Sequence, residues 1–176
     1  IDFDPGPAAE TMEGKFRPGH FIGMSEVVYR LLRITSPDSL FMGQKDFQQF
    51  SIIRKLITDF QMPIQLVMCP TVREANGLAM SSRNVRLSPE ARDKAGVIFN
   101  ILTSGKMLFE QKTPAKYVQD IALDALRKVN FDPEYFEVVN GYTLEPVEHM
   151  EDAEQIVACC AVKVEGVRLI DNMIWK

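Results

Sequence analysis

Apolar residues recur along this chain with two spacings, one helical and one extended. From position 21, Phe21, Met24, Val27, Val28, Leu31 and Leu32 form one stripe with Arg30 and Arg33 off it, which predicts an amphipathic helix. That helix should stop near Ile34, because Ser36 precedes Pro37 and a residue before proline is pushed out of α geometry. Ser39 to Met42 reads as a short strand. Phe47, Phe50, Ile53, Leu56, Ile57 and Phe60 then read as a second helix stripe, and Ile64 to Cys69 as a buried strand. Strand, helix and strand in so short a span make a βαβ unit with parallel strands and a right-handed crossover. Residues 1–19, rich in Pro and Gly, read as coil.

The pattern changes after Asn84. Ser88 and Pro89 are an N-cap and a first helical position, opening a helix expected to reach about Glu110 with a weak point at Ser104-Gly105. Thr113 and Pro114 repeat the signal for a helix carrying Tyr117, Ile121, Leu123, Leu126 and Val129. Tyr135–Asn140, Gln155–Val164 and Val167–Asn172 read as strands, the last two joined by a tight turn at Glu165-Gly166 in which Gly166 takes a positive φ. Helices followed by antiparallel strands indicate a small α+β domain. The expected division is 1–85 for an α/β domain and 86–176 for the α+β domain.

Composition narrows the function classes. The 176 residues are 46% hydrophobic with a net charge of −4 and a pI near 5.3, so no global positive field favours nucleic acid or an anionic membrane. No apolar run approaches the ~20 residues of a membrane span. Cys69, Cys159 and Cys160 form no metal-ligand spacing, and with only two histidines a His-rich metal site is not expected. Neighbouring cysteines on a strand point to opposite faces, so free thiols in a reducing, cytoplasmic compartment are the expectation. The chain opens on Ile1 and supplies only two strands to its α/β part, too few for a covered parallel sheet. It is expected to be the C-terminal portion of a longer protein.

Candidate chemistry gathers at the ends of the first two strands. Gly43-Gln44-Lys45-Asp46 follows one of them, and a loop holding Ser81, Ser82 and Arg83 follows the other. Parallel strands end on one edge of a sheet, where open α/β sheets bind ligands, so the two clusters are expected side by side. Gly43 permits close backbone approach, and Lys45 and Arg83 supply cations suited to phosphate. Asp46 can accept hydrogen bonds from a ribose, and Gln49 lies one helical turn on. Singly, each reads better as a helix-end carboxylate, a solvated charge or a surface amide. Together they favour a nucleotide site. Arg17 and His20, at the start of the first helix, each have a plain reading as turn residues, and for His20 that reading and a site role stand even.

Four stretches carry a resemblance: Arg-Pro-Gly-His-Phe at 17–21, Gly-Gln-Lys-Asp-Phe-Gln-Gln at 43–49, Val-Arg-Glu-Ala-Asn-Gly-Leu-Ala-Met-Ser-Ser-Arg-Asn at 72–84, and Val-Val-Asn-Gly-Tyr-Thr-Leu-Glu-Pro-Val at 138–147. In that order they resemble the pantoate–β-alanine ligase family of the nucleotidyltransferase superfamily, whose catalytic domain is Rossmann-like. The resemblance implies that pantoate, β-alanine and ATP, accompanied by Mg²⁺, react through a pantoyl adenylate, with no tightly bound cofactor and no metal held by the chain. It implies ATP contacts at Gly43, Gln44, Lys45, Asp46, Val72, Met80, Ser81, Ser82 and Arg83, of which Lys45, Ser81, Ser82 and Arg83 act on the phosphates in catalysis. Val72 would meet the adenine through its backbone, and Met80–Arg83 would be a mobile phosphate-binding segment. Pantoate would be held by Gln49 and an apolar wall at Met24, Val27 and Val28. Family members are homodimers.

This chain departs from the family in having Gln44 for the usual Glu and Asn76 for a frequent Asp. The family's Met-Gly-x-Leu-His-x-Gly-His segment, whose histidines act on the triphosphate, and a second pantoate-binding glutamine do not occur in it. By itself it is expected to be inactive. Two alternatives stand beside the ligase: another adenylate-forming nucleotidyltransferase, and a non-catalytic nucleotide-binding module.

Overall fold

Chain order in the computed structural model, which describes residues 1–176, follows the hydrophobic pattern closely. The elements are α1 (Glu13–Phe16), α2 (His20–Thr35), β1 (Ser39–Gly43), α3 (Phe47–Asp59), β2 (Gln65–Cys69), α4 (Pro89–Lys94), α5 (Val97–Glu110), α6 (Ala115–Lys128), β3 (Asp132–Asn140), β4 (Ile156–Val164) and β5 (Val167–Ile174). They fall into two compact units, Ile1–Pro70 and Thr71–Lys176.

In the first unit β1 and β2 pair in parallel, Ser39 opposite Gln65 through Gly43 opposite Cys69. Leu40, Met42 and Leu66 pack with Leu32 of α2 and Ile53, Leu56 and Ile57 of α3, the sheet-on-helix burial that a βαβ crossover provides. The stripe expected on α2 splits. Phe21 and Leu32 are buried, and Met24 and Val28 lie partly buried against the core, whereas Val27 is 57% exposed and Leu31 55%. Residues 1–19 are more ordered than coil: Pro7–Ala9 form a 3-10 turn and α1 follows. The buried Gln48 of α3 accounts for that order. Its amide donates to the carbonyls of Ala8 and Thr11 at 2.7 and 2.9 Å and accepts from the Glu13 N–H at 3.0 Å.

In the second unit β4 lies between β3 and β5, antiparallel to both. Ala158, Cys160 and Val162 of β4 face a core built with Ile98, Leu102 and Phe109 of α5 and Val118, Ala122 and Leu126 of α6, closed by Trp175. On α6 the expected stripe is displaced: Tyr117 is 62% exposed and Ile121 39%, and the inward face is Ala115, Val118, Ala122 and Leu126. At the β4–β5 turn both Glu165 and Gly166 take positive φ, 49° and 76°, the pairing a two-residue hairpin requires. All three cysteines are free thiols, and burial pushes that of Cys160 well above its ordinary range. No helix is long and apolar enough to cross a membrane.

Two boundaries differ from expectation. The expected helix from Pro89 to Glu110 is broken at Ala95-Gly96, not at Ser104-Gly105. A Cβ on Gly96 would stand 2.3 Å from the Asn76 carbonyl oxygen, and the Asn76 amide donates to the carbonyls of Arg92 and Asp93, both at 2.9 Å. That side chain satisfies the carbonyls at the end of α4. Gly105 sits instead within α5 against Trp175. The junction between the units lies at Pro70/Thr71 and not near 85, because residues 71–87 are tied by side chains to α4 and β5, as described next.

Candidate active site

In the first unit the turn after β1 is a single 3-10 turn, Gln44–Asp46, leading directly into α3. Gly43 is the register partner of Cys69 at the carboxyl ends of both strands, so this turn and the chain beyond β2 leave the same sheet edge. Lys45 and Gln49 are half-buried and Asp46 is exposed. Gly43, Gln44, Lys45 and Asp46 are consecutive at that edge, and Gln49 follows in the first turn of α3. Of the expected pantoate wall, Met24 and Val28 are engaged in the core and Val27 is turned to solvent.

His20, at the first position of α2, also belongs to this neighbourhood. Burial and the Arg17 cation lower its pKa from the ordinary 6.5, while the Glu13 and Asp46 carboxylates act in the opposite sense. The first two effects win, so the imidazole is neutral at pH 7 and can accept a hydrogen bond. Asp46 is close enough to His20 for its charge to be felt there, which places the Arg-Pro-Gly-His stretch and the Gly-Gln-Lys-Asp turn in one neighbourhood of the first unit.

In the second unit residues 72–80 form a hairpin. Arg73 bridges Ala79, and the Met80 N–H donates to the Val72 carbonyl at 2.9 Å. Val72 and Met80, both assigned to ATP by the resemblance, are thus adjacent at the hairpin mouth, and both are exposed. One lone pair of the Val72 carbonyl oxygen remains for a further donor. Ser81 caps the 3-10 helix Ser82–Arg86 by accepting from the Arg83 N–H at 3.2 Å, which leaves its hydroxyl proton available to an anion. Ser82 and Arg83 are exposed, and the Arg83 guanidinium makes a 3.5 Å contact with the Arg168 carbonyl.

Beneath these residues lies a polar network that periodicity did not reveal. Arg73 forms a bidentate pair with Asp171 at 2.6 and 3.0 Å and stacks 4.1 Å from the centre of the Phe99 ring. Glu74 accepts from Arg92 through both oxygens, at 2.8 and 2.9 Å, and from the Asn84 amide at 2.8 Å. Hydrogen bonds from Arg92 and Asn84 hold the Glu74 carboxyl below its ordinary pKa. Arg73 and Glu74 therefore serve the scaffold of this unit, and Arg83 is its exposed cation beside Ser81 and Ser82. No three His, Cys, Asp or Glu side chains gather where they could hold a metal ion.

Sequence and structure comparisons agree on kinship. The family model described as Pantoate-beta-alanine ligase matches residues 2–174. The pantothenate synthetase of Porphyromonas gingivalis strain W83 is 41% identical over 174 residues, covering 99% of this chain and 62% of that protein. The Bacteroides fragilis YCH46 pantothenate synthetase is 40% identical with the same coverage. Among solved structures, pantothenate synthetase from Thermus thermophilus has a TM-score of 0.90 at 36% identity, covering 99% of this chain and 63% of its own. The Francisella tularensis ligase, solved with β,γ-ATP and β-alanine, has a TM-score of 0.72 at 32% identity, covering 96% of this chain and 55% of its own. The chain spans 62% of the length of the curated relatives it matches. The α/β architecture, with a parallel pair followed by a three-stranded antiparallel sheet, is that of these structures. On the match from residue 2 to 174, the chain belongs to the pantoate–β-alanine ligase family.

Proposed function

We propose that this chain serves the ATP-dependent condensation of pantoate with β-alanine to give pantothenate. The observation that supports it most directly is the Gly43–Asp46 turn at the carboxyl edge of a parallel pair, in a chain whose family is established. The Francisella ligase, solved with β,γ-ATP and β-alanine, supports the choice of substrates. In the first step a pantoate carboxylate oxygen attacks the α-phosphorus, the bond to the bridging oxygen breaks, and pyrophosphate leaves. In the second, the β-alanine amine attacks the acyl carbon, loses a proton and expels AMP.

The first step crowds anions, so cations and fixed dipoles supply its catalysis. Lys45 and Arg83 neutralise phosphate charge, and the hydroxyls of Ser81 and Ser82 donate to phosphate oxygens. Asp46 accepts from the ribose, with the backbones of Gly43, Gln44 and Met80 lining the nucleotide and the Val72 backbone meeting the adenine. Gln49 holds pantoate beside the α2 face at Met24, Val27 and Val28. Mg²⁺ bound with the ATP would neutralise part of the phosphate charge beside Lys45 and Arg83. The full-length protein acts as a cytoplasmic homodimer, and residues 1–176 alone do not turn over.

The test is pantoate-dependent ATP–pyrophosphate exchange in the full-length protein. Lys45→Ala should cost ~3 kcal/mol or more of barrier, on the order of 10²-fold in rate. Exchange supported by another carboxylic acid but not by pantoate would move the chain to a different adenylating reaction. Unchanged exchange in Lys45→Ala would remove the phosphate role of that side chain.

A further inference from the structure

The segment Met80–Arg83 is held at both ends by one side chain. Asn84 is 1% exposed, and its amide nitrogen donates to the Ala79 carbonyl at 3.1 Å and to Glu74 Oε1 at 2.8 Å. Its own backbone N–H donates to the Ser81 carbonyl at 3.0 Å. The residue before the segment and the residue after it are thus joined across its base. Glu74 is anchored in turn by the two-pronged contact from Arg92 of α4, and α4 is tied to the same hairpin through Asn76. None of these side chains belongs to the residues assigned to substrates.

We infer that Glu74, Asn84 and Arg92 are positioning residues for adenylate formation, holding Met80–Arg83 in the shape that meets the ATP phosphates. The inference rests on the function proposed above. A short loop whose two ends are stapled has lost most of its conformational freedom before ligand arrives, so binding need not supply that ordering. Loosening the staple displaces Ser81, Ser82 and Arg83 without removing any group that touches substrate. The triphosphate is present only in the first half-reaction. The second, in which β-alanine consumes a finished acyl adenylate, has no triphosphate to grip.

The two half-reactions therefore separate positioning from general structural damage. In the full-length protein, Asn84→Ala should lower pantoate-dependent ATP–pyrophosphate exchange roughly 10²-fold, the usual cost of a small misplacement. Turnover of pre-formed pantoyl adenylate with β-alanine should fall far less, because the β- and γ-phosphates are gone and only the AMP moiety remains to be held. Because Asn84 is buried, Arg92→Gln provides a second variant at a more exposed side chain, with the same selective loss at smaller size. Far-UV circular dichroism and denaturant unfolding report whether each variant is folded. Equal losses in both half-reactions, or exchange unchanged in both variants, would overturn the inference. Absence of exchange in the wild type would overturn the proposed function itself, which is a distinguishable result.

Discussion

Replacing Arg73 by alanine tests whether the hairpin that carries Val72 and Met80 is held by the ion pair beneath it. The Arg73 side chain is 18% exposed and that of Asp171 is 3%. Truncating the arginine strands a buried carboxylate, which typically costs ~3–5 kcal/mol. The contact with Phe99 adds a stacking loss of about 0.5–2 kcal/mol. Against this, Asp171 Oδ1 still accepts from the Asn172 N–H at 2.8 Å, which favours the lower end. A loss of ~3 kcal/mol is expected. The chain's single tryptophan, Trp175, is buried in the second unit, so its fluorescence during denaturant unfolding reads that unit alone and avoids treating two units as one transition. Arg73→Met combined with Asp171→Leu removes both charges, and should cost less than the sum of the single changes by at least ~1 kcal/mol. Strict additivity, or a loss below ~0.5 kcal/mol in Arg73→Ala, would refute the argument.

Packing and charge give two more expected outcomes. A Cβ on Gly105 would lie 3.0–3.2 Å from Trp175 and Val118, so Gly105→Ala should destabilise by ~1–3 kcal/mol of overpacking, less ~1 kcal/mol of helix propensity; a stabilised variant in the same fluorescence assay would contradict this. The His20 imidazole should titrate below 6.5 by NMR, and Arg17→Ala should move its midpoint upward, because burial and Arg17 are what depress it. With the folded-state value lowered, the unfolded chain binds more protons in between, so this group's stabilisation is complete above about 6.5 and is lost as pH falls through the folded-state value. A midpoint at or above 6.5 would count against the burial of that ring.

The βαβ unit was legible because α3 buries the residues its spacing selects, Phe47, Phe50, Ile53, Leu56 and Ile57, between clear strand and turn signals. The same rule misjudged α2 and α6, where Val27, Leu31, Tyr117 and Ile121 are apolar but exposed. Apolar spacing selects a stripe about a third of the helix wide, and smaller residues such as Ala115 and Ala122 can supply the inward edge. The break at Gly96 was hidden because its cause, Asn76, lies twenty positions upstream and acts through a backbone contact. The candidate site divides in the same way. Gly43–Asp46, Val72 and Met80–Arg83 were visible as short donor-rich stretches. Arg73, Glu74 and Asn84 stood in one of those stretches without their role showing, because their partners Asp171 and Arg92 become neighbours only on folding.

Trp175 has a consequence for how the chain leaves the ribosome. The second unit's core is completed by a ring that emerges after all three of its strands, and Arg73 waits for a carboxylate 98 positions later. Its helices and first strands therefore wait on the nascent chain for the ring that closes their core, whatever the state of the first unit. Vectorial synthesis imposes that order, and it makes the interval before Trp175 appears the stage at which chaperone protection matters most.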